Sequence, residues 1–183
     1  PQLDRLMLEY SDIFKNEIGV TPLLTHKIEL KPHSGIINIA PYRIPHCYVS
    51  DLDSHMKKLV EKGIICESSS AYNSPLLVVK KSSGEIRPVI DFRKLNNQIV
   101  AETYPLPRIS DLMNKLSEAK VFSCLDLRSA FHHVKLEESS RRYTAFSVND
   151  RKYEFNRLPF GLTSSPGVFQ RVMSKCLFEI LGT

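Results

Sequence analysis

The 183-residue sequence predicts an α+β fold in which helices cover one face of an antiparallel or mixed sheet. Two kinds of pattern support this prediction. Short apolar runs bounded by turn residues predict strands at 75–81, 86–92 and 121–127. Apolar residues spaced three and four apart predict amphipathic helices, as at residues 109–116, where the helix is expected to pack on the strand that follows it. A split β-α-β arrangement is one layout that places these elements in this order.

The first part of the chain is predicted to be a helix followed by an extended arm. Residues 1–17 carry the apolar stripe of a short helix. Prolines then interrupt the pattern, and only the piece at 26–30 alternates like a strand. Ser50 is expected to open a second helix that Gly63 ends. We therefore treat residues 1–48 as an N-terminal unit.

The remainder is predicted to hold a hairpin, a helix, several strands and a final helix. The turn at 82–85 joins the first two apolar runs into a β-hairpin. Ser165 is expected to cap the last helix, with Pro166 at its first position. We divide this part into units at 49–120 and 121–183. Further strand-like segments are at 131–136, 143–148 and 152–158.

Composition and charge limit the class of protein. The sequence has no apolar run of about 18 residues and no signal-peptide core, and its four cysteines form no C-x-x-C pair. We therefore expect an intracellular protein without a membrane helix. The formal net charge is +5, and residues 71–183 carry 17 Lys/Arg against 11 Asp/Glu. This basic excess suits a polyanion such as nucleic acid or a nucleoside triphosphate, although a solvated basic face has the same pattern.

A single carboxylate, Asp126, lies in the apolar run Val121–Leu127. The run is typical of a buried strand. Burying an unpaired carboxylate is costly, so Asp126 is expected to meet a cation, a metal ion or a strong hydrogen-bond donor. The alternative is an ordinary aspartate where the strand surfaces at a turn. The run alone leaves both interpretations open.

Basic residues gather at the tip of the predicted hairpin. Lys80 and Lys81 end one strand, and Arg87 lies on its partner. These cations can converge across a short turn, and such a cluster suits a triphosphate. A solvated hairpin tip is the alternative.

Two further segments are candidates for a site. The segment 157–166 contains prolines, a glycine and hydroxyl residues between a strand and a helix. It can form a shaped floor against a planar ligand or a tightly packed connection. His132 and His133 are adjacent, so on a strand they face opposite ways. That arrangement favours partly buried polar histidines over a metal-ligand pair.

Taken together and in order, these segments resemble the reverse transcriptase of gypsy-like LTR retrotransposons and retroviruses. The resemblance covers nearly the whole chain, and several motifs in sequence are far more specific than any one alone. The motifs are PYRIP at 41–45, LVEKGIICESSSAYNSPLLVVKK at 59–81, IRPVIDFRKLN at 86–96, YPLPRISDLMNKLSEAKVFSCLDLRSAFHHVKL at 104–136, YTAF at 143–146 and YEFNRLPFGLTSSPGVFQRVM at 153–173.

The resemblance implies the fingers-and-palm lobe of an RNA-directed DNA polymerase. The fingers would correspond to the unit ending at 120, and an incomplete palm to 121–183. Asp126 would be the catalytic ligand of two Mg²⁺ ions, with the carbonyl of Leu127 as a further ligand. The resemblance implies nucleotide-binding roles for Lys80, Lys81, Arg87, Ser129, Ala130, Phe131, Phe160 and Gln170. Among these, Phe131 would block a ribose 2′-hydroxyl, and Gln170 would lie near the template.

The resemblance also implies partners and shows departures. Template–primer RNA/DNA, dNTPs and the rest of a Pol polyprotein (the remaining palm hairpin, the thumb and RNase H) would be the partners. Ile86 stands where the family usually has Trp, and Ser82 where it often has Lys. The sequence contains no Asp-Asp pair, which the family carries after the last helix. We therefore expect the truncated 183-residue chain alone to be inactive.

Two other interpretations follow from the same sequence. The chain could be a polymerase-dead, retroelement-derived domain that binds nucleic acid or protein. It could also be an unrelated α+β RNA-binding module, which would need exposed aromatic residues on its sheet. The order of the motifs argues against the module.

Overall fold

A computed structural model describes residues 2–15, 17–80, 82, 84–100, 104–105, 108–117 and 119–178. The described helices are α1 Gln2–Glu9, α2 Val49–Glu61, α3 Arg93–Gln98, α4 Ile109–Leu116, α5 Glu138–Arg141 and α6 Ser165–Cys176. The described strands are β1 Thr25–His26, β2 Ile65–Glu67, β3 Leu76–Lys80, β4 Ile86–Ile90, β5 Lys135–Leu136, β6 Phe146–Val148 and β7 Arg151–Phe155. This mixture of helices and mainly antiparallel strands confirms the predicted α+β class.

The strand β7 connects most of the sheet structure. It pairs antiparallel with β2 on one side and with β6 on the other. Beyond its end the ladder continues, because Leu136 N–H donates to the carbonyl of Asn156 and Leu158 N–H donates to that of Val134, both at 2.9 Å. The strand β5 in turn pairs parallel with β1. The stretch 151–158 therefore links two small sheets through backbone hydrogen bonds.

The predicted hairpin is confirmed and forms a separate two-stranded sheet. Strands β3 and β4 pair antiparallel, with Leu76 opposite Ile90 and Val78 opposite Pro88. A proline has no backbone N–H to give to a ladder, so it is tolerated where no further strand pairs on that side.

One hydrophobic core includes residues of the three-stranded sheet and of the helices α2 and α6. Phe146 is fully buried and its ring centroid is 5.4 Å from that of Phe155. Leu52 from α2 and Val168 from α6 are also fully buried. The amphipathic periodicity of both helices is thus explained by the burial of one face of each in the core.

Most of the described arm has no regular secondary structure, whereas the first helix is shorter than expected. The arm is fixed by backbone contacts, as Thr21 N–H donates to the carbonyl of His133 at 2.8 Å. Helix α1 ends at Glu9 rather than near residue 17, and Leu3 on its apolar stripe is 69% exposed. Among the described residues, no helix combines the length and the apolar character that a membrane span requires.

The predicted buried strand at 121–127 is wrong in this structure. The segment is irregular, and Val121 and Leu125 are 86% and 83% exposed. A strand needs a neighbour for its N–H and C=O groups, and no described residue pairs with this segment. The expected packing of α4 on it is likewise missing, since Ile109 is 78% exposed. An apolar pattern indicates a tendency to be buried but cannot supply the neighbour.

We expect Phe146→Ala to destabilise the fold by about 3–5 kcal/mol, because it leaves a cavity in the core beside Tyr153 and Phe155 of β7. Urea unfolding followed by circular dichroism measures this loss. Val79→Ala is the matched control, since Val79 is 46% exposed on β3. Equal unfolding midpoints for the two variants would contradict the assignment of the core.

Candidate functional site

The candidate site is built around the loop Leu158–Ser165, which leads from β7 to α6. Gly161 has a φ of +92°, a conformation that glycine adopts without steric cost. The loop contains buried residues such as Leu158 and Leu162, yet it leaves Phe160 44% exposed. It is thus both a packed connection and a surface that presents an aromatic ring.

Asn96 on α3 fastens the middle of this loop. Its side-chain amide donates to the carbonyl of Gly161 at 2.8 Å. The side-chain oxygen of Asn96 accepts from the N–H of Thr163 at 2.9 Å. One side chain therefore satisfies two backbone groups that have no strand partner.

Two more side chains fasten the ends of the loop. Ser165 donates its hydroxyl to the carbonyl of Pro159 at 2.8 Å, although the sequence predicted that Ser165 would cap α6. The ring Nδ1 of His132 lies 3.1 Å from the carbonyl of Leu158. The position of Phe160 is therefore fixed by contacts on both sides of it.

The exposed ring of Phe160 belongs to an aromatic cluster. Its centroid is 4.9 Å from that of Phe131, which in turn lies 5.7 Å from Phe169 on α6. Gln170 follows Phe169 on the helix and is half-buried. The structure thus brings together Phe131 and Phe160, which the resemblance assigned to one nucleotide site.

The backbone before Phe131 makes a tight turn rather than the predicted strand. Residues Ala130–His133 form a 3₁₀ turn, and Ser129 has left-handed φ and ψ of 50° and 47°. For a residue other than glycine this conformation costs about 1–2 kcal/mol. The carbonyl of Ser129 accepts from His132 N–H at 2.8 Å, which closes the turn. Ser129 and Ala130 are both half-buried. They lie in this turn, directly before Phe131 of the aromatic cluster.

The basic residues of the hairpin do not all converge. Lys80 and Arg87 are exposed, but the register places Lys80 opposite Ile86 and Arg87 opposite Val79. Opposite residues share a face and adjacent residues alternate, so Lys80 and Arg87 lie on different faces. The expected convergence of this pair is therefore wrong. Lys81 lies outside the described residues.

Asp126 is exposed, in the irregular segment, and Leu127 is 45% exposed. A carboxylate and a backbone carbonyl are hard oxygen ligands of the kind that Mg²⁺ binds. Within the described part of the chain, however, no three His, Cys, Asp or Glu side chains lie close enough together to hold a metal ion. The described residues therefore fit one ligand of a two-ion site and not the complete site.

An ion pair holds the start of α3, the helix that carries Asn96. Arg93 donates from Nε and Nη2 to the two oxygens of Asp91 at 2.9 and 2.7 Å. These hydrogen bonds lower the pKa of Asp91 to about 2, and Tyr42 donates a longer one. The pair joins the end of β4 to α3 and hence to the 158–165 loop.

Sequence reasoning missed two of these residues. Asn96 gave no signal, because its partners are more than 60 positions away. His132 was noted only as one of two adjacent histidines. It is 8% exposed, and burial lowers the pKa of its ring below the usual value, with Arg157, His133 and His55 adding to the effect. Its contacts to Leu158 and Phe160 are tertiary.

Comparison with solved structures defines the class of fold. The chain is similar to the foamy viral protease-reverse transcriptase in complex with an RNA/DNA hybrid, with a TM-score of 0.83 and 20% identity over 98% of this chain and 24% of that one. The foamy viral protease-reverse transcriptase dRH in complex with double-stranded DNA gives a TM-score of 0.82 at 22% identity, and the match covers 98% of this chain and 32% of that one. The fold is that of a polymerase fingers-and-palm lobe.

Sequence comparisons then identify the family. A family model described as "Reverse transcriptase (RNA-dependent DNA polymerase)" matches residues 78–183. The Pol polyprotein of transposon 412 from Drosophila melanogaster is 42% identical over 94% of this chain, and that of transposon gypsy is 45% identical over 73%. The chain belongs to the reverse transcriptase family, whose members generally use divalent metal ions. It spans 15% and 14% of the length of these two polyproteins.

We expect the Asp91–Arg93 pair to give the fold a dependence on acid pH. Because the folded-state pKa of about 2 is below the usual 3.8, the pair stabilises the fold above that usual value, and the stabilisation is lost as the pH falls toward the folded-state pKa. Arg93→Gln should raise the pKa of Asp91 and flatten this loss. NMR titration of the Asp91 carboxyl and acid unfolding measure both effects. Lys94→Gln, next to Arg93, is the control, and an unshifted Asp91 in Arg93→Gln contradicts the prediction.

Proposed function

We propose that this chain is the fingers-and-palm part of a retroelement Pol polyprotein that acts as an RNA-directed DNA polymerase. Its substrates would be dNTPs and a primer–template of RNA or DNA. The single observation that carries the proposal is the pair Phe131 and Phe160, fixed 4.9 Å apart on two anchored turns of a reverse transcriptase family member. The basic excess of residues 71–183 adds long-range attraction for phosphates.

In this proposal the aromatic pair shapes the nucleotide pocket. Phe160 borders the nucleotide, and the ring of Phe131 stands where a ribose 2′-hydroxyl would project. Contacts with Phe160 and Phe169 prevent Phe131 from swinging away, so an additional hydroxyl would meet a fixed ring. Ser129 and Ala130, on the turn before Phe131, would lie beneath the triphosphate and sugar. Gln170 would lie on the template side.

The hairpin cations would bind phosphates. We assign the triphosphate to Arg87, whose planar guanidinium can donate two parallel hydrogen bonds to one phosphate. Lys81 has the same predicted role. Lys80 lies on the face opposite to Arg87, so it suits a nucleic-acid backbone phosphate better than the same triphosphate.

Asp126 would be a metal ligand of the active polymerase, with the carbonyl of Leu127 beside it. The exposure of Asp126 leaves its carboxylate free to approach ligands from the rest of a longer polypeptide. Two Mg²⁺ ions, when bound, would lower the pKa of the attacking 3′-hydroxyl and neutralise charge on the phosphates. Asp126 itself would supply a negatively charged oxygen ligand for these ions.

We expect Asp126→Asn to slow primer extension about 100-fold or more when it is introduced into the longer Pol polypeptide that contains this chain. The magnitude follows from the loss of other contacts that stabilise a transition state. Incorporation of labelled dNTPs on a poly(rA)–oligo(dT) substrate measures the effect. Asp150→Asn is the matched control, because Asp150 is an exposed carboxylate in the turn between β6 and β7. Full activity of Asp126→Asn contradicts the assignment of Asp126 as a metal ligand.

A polymerase-dead nucleic-acid-binding domain is the second candidate. It is favoured by the exposed Asp126, which belongs to no metal-binding cluster within the described residues. Fluorescence anisotropy of a labelled primer–template with the 183-residue chain tests it at several salt concentrations. Salt-sensitive binding that Asp126→Asn leaves unchanged, together with an inactive longer polypeptide, supports this candidate. Incorporation of dNTPs by the longer polypeptide excludes it.

We expect Phe131→Val to raise the use of rNTPs relative to dNTPs at least tenfold, because a smaller side chain opens the space beside the sugar, and a pocket contact of this size is worth about 1–3 kcal/mol. The ratio of kcat/KM for rTTP and dTTP in the longer polypeptide measures it. Phe169→Val, which removes the neighbouring ring, is the comparison. An unchanged ratio in Phe131→Val contradicts the role of Phe131.

A further inference from the structure

His132 occupies a closed position between the core and the 158–165 loop. Its side chain is buried, and its backbone N–H is already used by the carbonyl of Ser129. The ring Nδ1 lies 3.1 Å from the carbonyl of Leu158. A carbonyl only accepts, so Nδ1 carries the proton and donates. Leu158 is fully buried, so no water can replace this donor without opening the structure.

The same ring touches two aromatic side chains on different elements. It lies nearly parallel to Phe155 of β7, with centroids 6.2 Å apart and 23° between the planes. It is nearly perpendicular to Phe160, at 5.1 Å and 86°. The imidazole therefore fills the space between a rigid strand and the ring that the loop presents. Phe160 is in turn 4.9 Å from Phe131.

These contacts require an imidazole and not only an aromatic ring. Phenylalanine at this position could pack between Phe155 and Phe160, but it would leave the buried carbonyl of Leu158 without a donor. Asparagine could supply a donor but would leave the space between the rings empty. Histidine alone among the three provides both contacts.

The surroundings of His132 favour the neutral imidazole over the imidazolium. Burial lowers the pKa of His132 most, and the positive charge of Arg157 together with His133 and His55 lowers it further, while the hydrogen bond to Leu158 opposes this. Because the folded-state pKa lies below the usual 6.5, the unfolded chain takes up the proton first as the pH falls. The stabilisation of the folded state by neutral His132 is therefore complete above about pH 6.5 and declines as the pH falls below that value.

We propose that His132 is a positioning residue that fixes the 158–165 loop, so that Phe160 is held against Phe131. This extends the proposed function and rests on it only for the statement that these two rings border the nucleotide. The mechanical part of the proposal concerns the loop alone and can be tested without a nucleotide.

The test uses a tryptophan placed in the loop. The sequence contains no Trp, so Phe160→Trp in the 183-residue chain gives a single fluorophore at a position that is 44% exposed. In this background, His132→Asn and His132→Phe are expected to shift the emission to longer wavelength and to increase quenching by acrylamide. His133→Asn is the matched control, since His133 is half-buried and contacts the carbonyl of Arg128 instead. It should leave both readouts unchanged.

The two His132 variants separate packing from hydrogen bonding. If His132→Phe reproduces the emission and quenching of the parent, the hydrogen bond to Leu158 is not needed and the proposal is wrong. Equal effects of His132→Asn and His133→Asn would also overturn it, because that result indicates general loosening.

A pH titration of Phe160→Trp with His132 intact keeps the proposal testable even where the His132 variants fail to fold. An imidazolium in contact with indole quenches its emission, so intensity should fall as the pH drops from about 7.5 to 5, with a midpoint below 6.5. The same titration in the His133→Asn background should keep this fall in intensity, with its midpoint moved to higher pH, because the charge of His133 lowers the pKa of His132. No change of emission over this range while the fold persists contradicts the contact.

Failure of this proposal is distinguishable from failure of the proposed function. In the longer polypeptide, His132→Phe should raise the KM for dNTP more than it lowers kcat, whereas Asp126→Asn should lower kcat. An unchanged kcat in Asp126→Asn contradicts the polymerase assignment but not the conclusion that His132 positions the 158–165 loop. An unaffected KM in His132→Phe removes the link between the loop and the nucleotide.

Discussion

The continuous line of backbone hydrogen bonds along residues 151–158 is the constraint on which the rest of the structure depends. In its first half, β7 pairs with β2 and β6, and these pairs place Phe155 and Phe146 in the core. In its second half, the chain pairs with residues 134–136, which bring the N-terminal arm into the fold through β1. Helices α2 and α6 add the fully buried Leu52 and Val168 to the same core.

The candidate site begins where that line of hydrogen bonds ends. Beyond Leu158 no described strand pairs with the chain, so side chains bond to the backbone of the loop instead. His132 does so at its start, Asn96 in its middle and Ser165 at its end. This replacement explains how an irregular segment can present Phe160 in a defined position. The ion pair of Asp91 and Arg93 acts one step further back, because it fixes the helix that carries Asn96. The loop that presents Phe160 is therefore held by side-chain hydrogen bonds and not by a sheet.

Local patterns predicted the elements whose partners are close in sequence. The hairpin of β3 and β4, helix α4 and helix α6 were all expected near their observed bounds, and the motif order identified the family. The segment 121–127 was predicted as a strand because its apolar content is real, but strand formation needs a neighbour that the pattern does not specify. The faces of Lys80 and Arg87 depend on a one-residue register, which the turn fixes and composition does not. Asn96 and His132 act through tertiary hydrogen bonds, so only the fold reveals them.

The anchoring of the 158–165 loop has a consequence for the order of folding. Its hydrogen bonds join residues separated by 65 and 67 positions at Asn96, but by only 26 at His132. Contacts between distant residues form late, because closing a longer loop costs more conformational entropy. We infer that the contacts of His132 form first and that the hydrogen bonds of Asn96 to the loop form last. In refolding followed by pulsed hydrogen exchange, the amide of Leu158, which donates to Val134, should then gain protection before the amide of Thr163, which donates to Asn96, and simultaneous protection would contradict this order.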